Sequence, residues 1–247
     1  MTDIDNKKPK TGGKPKAGGP PTTFSMPMYR QFVPKFIRPW IYLLLAFCFQ
    51  FANGMYLGAM NDVVGEWSLM REDVQMCLYA TLIGMALYFP VLFRMKFRFT
   101  NKSLLMVSAA VIVVCNLLAT IKMPLPALLA LCVVCGMAKI QGTFECMSNI
   151  QLWMTPKRDF GVFFPILHIV LLTSIEGAGY LAAWFAYHMH WTYMHWFVIL
   201  LMLIVLLVQA LLTKPFRAMP QIVPLKGLDW FGALLWIAFW LQVAWLL

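Results

Sequence analysis

The sequence predicts an all-α membrane protein whose chain crosses the bilayer seven times. Three observations lead there. First, 61% of the residues are hydrophobic and only 12% charged, with a mean hydropathy of +0.72. A soluble domain carries about 25% charged residues. Second, the apolar residues run unbroken for about twenty positions at a time, the length a spanning helix needs. They do not alternate with polar residues as barrel strands do. Lipid offers the backbone no hydrogen-bond partner, so such runs must be helical. Third, the basic residues gather in every second connecting segment, the bias that orients membrane helices.

The elements follow in order. Residues 1–28 are rich in Lys, Pro, Gly and Thr and have no apolar period, which predicts a disordered basic tail over 1–38. Its last ten residues mix Arg30, Lys35 and Arg38 with Phe32, Phe36 and Ile37, a blend suited to the membrane interface. Nothing in this polar stretch resembles a cleavable signal peptide, so the first span is expected to direct insertion. That span runs from Trp40 to Met60, and a polar loop covers Asn61 to Asp73. The second span is Val74–Phe93, and a basic loop covers Arg94 to Lys102. The third is Leu104–Ile121, and the fourth Pro126–Trp153, long enough to tilt. Thr155 to Asp159 closes it. The fifth is Phe160–Tyr187, the sixth Tyr193–Leu212. A linker over 214–228, broken by Pro215, Pro220 and Pro224, leads to a last span over 229–247. The absence of a polar tail after that span is read as truncation of a longer chain.

With the N-terminus in the cytoplasm, seventeen of the twenty Lys and Arg fall in cytoplasmic segments. The net charge of +10 is then a topology signal, and a nucleic-acid partner is not expected. Cys132-x-x-Cys135 has the spacing of a redox or zinc motif. With no second such pair, and with all six cysteines in apolar runs, core packing is the expected role.

Charges at bilayer depth are costly and often functional. Lys139 and Glu145 in the fourth span and Glu176 in the fifth meet that description. Six residues separate Lys139 from Glu145, which places them apart around a helix. Glu145 shares a face with Gly142 and Asn149, and Glu176 with Thr173 and Tyr180. These two stripes predict a wet cavity between the spans. Burial raises a carboxylate's proton affinity, so such a glutamate can exchange a proton during transport. Gln50, Asn53 and Asn61 add polar groups to the first span, with interhelical hydrogen bonding the competing role. His188, His190 and His195 alternate with Trp and Met and are expected in an interfacial belt rather than on zinc. His168 is expected as a packed imidazole. No metal site and no cofactor are expected. The sequence has no hydrolase elbow, P-loop or metalloprotease helix, which weighs against an enzyme.

Several segments form an ordered set. Asn53-Gly54-Met55-Tyr56-Leu57-Gly58-Ala59-Met60 ends the first span, and Tyr79–Pro90 carries a tyrosine, small-residue and proline pattern. The basic cluster Arg94, Lys96, Arg98 and Lys102 follows. Then come Lys139-Ile140-Gln141-Gly142, Glu176-Gly177-Ala178-Gly179-Tyr180, Trp191–Phe197 and Leu228-Asp229-Trp230-Phe231-Gly232. In this order the set resembles the major facilitator superfamily, most nearly its 14-span drug:proton antiporter branch, over about residues 38–247. Asn53 stands where that branch has an acidic residue, Arg94 where its loop has aspartate, Lys139 where it has arginine, and Glu176 near a proline position.

The resemblance implies a six-span N-terminal bundle of two three-helix repeats over 39–213, followed by a linker span. It also implies a second half of the transporter elsewhere. The basic cluster corresponds to the family's cytoplasmic gating loop. The expected function is proton-coupled export of small amphipathic or drug-like compounds across the bacterial inner membrane. Glu176, Glu145, Lys139, Asn53, Asn149 and Gln50 are the substrate and proton-coupling candidates, with Lys139 a charge partner for the carboxylates. The expected partners are the lipid bilayer, a small-molecule substrate, protons and the transporter's C-terminal half. A membrane enzyme or assembly factor with an intramembrane acidic or metal site, and a half-transporter that dimerises, are the alternatives.

Overall fold

The structure, a computed structural model, describes residues 28–52, 59–153, 159–217 and 229–246. Most of the predicted tail and linker, Asn53 and the turn after the fourth span lie outside the described residues. Within them the chain is helical: α1 (Arg38–Phe51), α2 (Met60–Trp67), α3 (Arg71–Arg98), α4 (Asn101–Ala119), α5 (Leu125–Trp153), α6 (Phe160–His188), α7 (Tyr193–Leu212) and α8 (Trp230–Leu246). Five of these, α3 to α7, are long and apolar enough to cross a membrane. The protein is a multi-pass α-helical membrane protein.

Local chemistry sets the helix starts. The Thr100 hydroxyl accepts from the Ser103 N–H at 3.2 Å and opens α4. Asp159 accepts from the Gly161 N–H at 2.8 Å and opens α6. Asp229 does the same for Gly232 at 2.9 Å before α8. Each such cap is worth about 1 kcal/mol.

Two predicted loops are corrected. The segment after the first span contains the helix α2, and Asp73 is already inside α3, where its carboxylate accepts from the Met70 N–H at 2.8 Å. The expected basic loop, Arg94 to Lys102, is also helical: α3 runs through Arg98 and α4 begins at Asn101. Nothing from Arg94 to Arg98 breaks a helix, and long basic side chains let a span extend beyond the hydrocarbon.

α5 lies at the centre, packed against α1, α3 and α4, with α7 on α4 and α6 on α1. The α3–α5 contact is backbone on backbone. A Cβ on Gly84 would sit 2.1 Å from the Val133 carbonyl oxygen, and one on Gly136 would sit 2.1 Å from that of Thr81. Small residues permit this approach, and close packing holds helices together where lipid removes the hydrophobic drive.

Pro90 lies inside α3 and has no N–H for the Ala86 carbonyl one turn back. The indole N–H of Trp236 on α8 donates to that carbonyl at 2.7 Å. The proline therefore creates the acceptor that docks the last helix.

The ends of the bundle differ in charge. At one end the Arg30 N–H donates to the Leu212 carbonyl at 2.9 Å, and the Asn101 N–H to that of Phe216 at 2.7 Å. These bonds bring together the segment before α1, the α3–α4 turn and the end of α7, all rich in Lys and Arg. At the opposite end α2 meets the α6–α7 turn, with Trp67 and Trp191 edge to face at 5.5 Å. Asp62 and Glu66 lie there.

Candidate functional site

The polar centre of the bundle lies between α3 and α5, toward the basic end. Lys96 is two residues from the end of α3, and Glu145 two turns from the end of α5. Both are enclosed, with 7% and 2% of their side chains exposed. The Lys96 ammonium stands 3.8 Å from the Glu145 carboxylate. It donates to the Ser148 hydroxyl, which donates to the Glu145 carbonyl at 3.1 Å. Its remaining face lies 5.1 Å from the Phe144 ring centroid. The Gln141 amide donates to the free side of the carboxylate at 3.5 Å. Asn149 donates back to the Glu145 carbonyl at 2.7 Å.

A pair enclosed this way stands or falls as a unit. Removing two charges from water costs several kcal/mol per ion, and mutual attraction repays it only when both are present. Protonating Glu145 would remove the counter-charge of Lys96. The pair is therefore a point where one proton changes the balance holding two spans together.

Lys96, predicted in a gating loop, is a helical residue turned into the bundle. Lys139, predicted as the carboxylates' charge partner, is not the residue that meets Glu145. It lies mid-helix in α5, fully buried, and its ammonium finds no hydrogen-bond partner among the described residues. The two sit on different faces of α5, as their spacing required. The predicted cavity between α5 and α6 is also corrected. Glu176, Thr173 and Tyr180 are exposed on the outward face of α6, while Ser174, Ala178 and Ala182 turn inward. One turn of α6 can bury only one stripe, and α1 takes the small-residue one.

Gln50 donates to the Thr143 hydroxyl at 3.3 Å, an interhelical bond between α1 and α5. Of the other predicted gating cations, Arg94 and Arg98 are half-buried on α3. Lys102 caps the end of α7, donating to the Ala210 and Thr213 carbonyls at 3.2 Å each. His168 is exposed on α6, bonded to the Phe164 carbonyl, and is not the packed imidazole expected. His195 is not in an interfacial belt: it is buried, with its Nδ1 3.0 Å from Asn116 Oδ1. All six cysteines are free and buried.

Sequence reasoning missed Ser148, which only the rotation of α5 against α3 brings to Lys96. It also missed the cluster at the end opposite the basic one, where Glu66 accepts from the Trp191 indole and stands 3.2 Å from His190 Nε2. These line a pocket of about 410 Å³ with Asn61 and Asp62. Among the described residues no three His, Cys, Asp or Glu side chains are grouped to hold a metal ion.

Fold and site together define a multi-pass all-α membrane protein with a buried ion pair between two spans. No protein-family model matches the chain, and no curated protein matches it.

Proposed function

We propose that this chain is the N-terminal bundle of a proton-coupled transporter that exports small amphipathic compounds, with its basic end in the cytoplasm. The observation that carries the reading is the enclosed Lys96–Glu145 pair. An enclosed ion pair is expensive to keep, and ionisable residues buried within a bundle of spans mark ion and proton paths. The ordered motifs resembling the drug:proton antiporter branch support the same reading. In this scheme Glu145 takes up a proton and releases Lys96, and the loosened α3–α5 contact alters access to the substrate path. Glu176, on the outward face of α6 near its midpoint, faces the second half of the transporter, which shields it from lipid.

The test uses everted vesicles from cells expressing the transporter with both halves, energised to an acid interior, with ethidium added outside as an amphipathic cation. Wild type is expected to release protons when ethidium is added, and Glu145→Gln to lose that response. Ethidium-driven proton release that persists in Glu145→Gln refutes the assignment.

A further inference from the structure

The segment leading into α1 has two sides. Tyr29 and Val33 point into the bundle, 3% and 4% exposed. Phe32, Phe36, Ile37 and Trp40 point out, at 66%, 73%, 45% and 58%. The backbone between them is held firmly. Tyr29 bridges to Thr213, and the Val33 N–H donates to the Arg30 carbonyl at 3.1 Å. The Arg38 guanidinium donates twice to the Val33 carbonyl, at 3.1 and 3.0 Å. The outward aromatic residues thus form a fixed shelf rather than a loose tail. It lies where α1 begins, at the basic end.

Two exposed cations flank this shelf, Lys35 and Arg30, the Arg30 guanidinium also donating to the Ala210 carbonyl at 3.4 Å. Lys35 makes no side-chain hydrogen bond or ion pair among the described residues. No acidic residue occurs from 28 to 52. Aromatic rings at the headgroup level beside unneutralised cations fit an anionic lipid surface: the rings enter the acyl boundary and the cations meet phosphate.

We propose that residues 30–40 form an interfacial shelf that binds anionic phospholipid in the leaflet at the basic end, with Lys35 and Arg30 on the headgroup and Phe32, Phe36 and Trp40 among the upper acyl chains. The shelf holds the segment that ties α1 to the end of α7, so lipid bound there steadies that end of the bundle. This proposal does not depend on the transport reading.

The test measures binding of spin-labelled phosphatidylglycerol, relative to spin-labelled phosphatidylcholine, by the full chain in phosphatidylcholine bilayers. Wild type is expected to prefer phosphatidylglycerol about tenfold at low salt. Lys35→Gln should cut that preference about fivefold, and Lys35→Arg should keep it. The exposed cations Lys214 and Arg217, changed together to Gln, should lose less than Arg30→Gln with Lys35→Gln. Inorganic phosphate at millimolar concentration should not compete. Equal losses in the two double variants would assign the preference to diffuse charge and overturn the proposal. So would a wild-type preference that Lys35→Gln leaves intact. Dimers cross-linked through Lys35→Cys in the absence of lipid preference would place a second copy on the shelf and also overturn it.

Discussion

Replacing Trp236 with Phe isolates one hydrogen bond whose value can be worked from the structure. Pro90 leaves the Ala86 carbonyl without its helical donor, and Trp236 supplies one at 2.7 Å. Trp236→Phe keeps an aromatic ring against Phe89, whose centroid lies 6.3 Å away, but removes the N–H. Within a membrane span no water replaces the bond, so the loss should cost about 1–3 kcal/mol. Pro90→Ala restores an N–H at position 90 and lets the carbonyl bond within α3. In that background Trp236→Phe should cost less than about 0.5 kcal/mol. The assay is a double-mutant cycle on unfolding by sodium dodecyl sulfate in mixed micelles, with hydrogen exchange across α8 as the local readout. The coupling energy should reach about 1 kcal/mol or more. An equal cost for Trp236→Phe in both backgrounds refutes the argument that the proline creates the acceptor.

The remaining predictions concern the bundle's centre and edges. Gly84→Ala should destabilise the bundle by about 2 kcal/mol or more, because its Cβ would overlap the Val133 carbonyl at 2.1 Å; folded yield and detergent unfolding measure it. Lys96→Met or Glu145→Met alone should cost about 3–5 kcal/mol, and the two together much less, since neither then leaves a buried charge unpaired; a double-mutant cycle reads the difference. Asn116→Leu should cost about 1–3 kcal/mol by removing the Oδ1 partner of His195 Nδ1 between α4 and α7. Glu176→Gln should leave the isolated chain's stability in detergent within about 0.5 kcal/mol, because the side chain is exposed and meets no bundle helix.

Five of the seven predicted spans, the second to the sixth, match described helices long enough to cross a membrane, and they were legible because hydropathy is a local sum. The fourth, fifth and sixth predicted spans match α5, α6 and α7 to within a residue at most ends. Helix ends fared less well where charge stood in for a break. Arg94 to Arg98 read as loop from their polarity, yet nothing among them disfavours helix, and the chain stays helical. Candidate charges were legible as residue types, and Glu145 does sit in the polar centre. Their partners were not. Helical spacing separated Lys139 from Glu145 correctly but carried no information about Lys96, 49 positions away in sequence.

By itself the sequence determined that this chain spans a membrane as helices and that its cations concentrate at one end. Length, apolar content and loop charge act on each segment independently, so no tertiary knowledge was needed. Only the tertiary structure decided which stripe of each helix faces inward. The glycine crossing of α3 and α5 sets their mutual rotation, and that rotation turns Lys96 toward Glu145 and Ser148. The choice of small residues against α1 turns Glu176 outward. Those orientations follow from packing between segments far apart in the chain, and no local pattern encodes them.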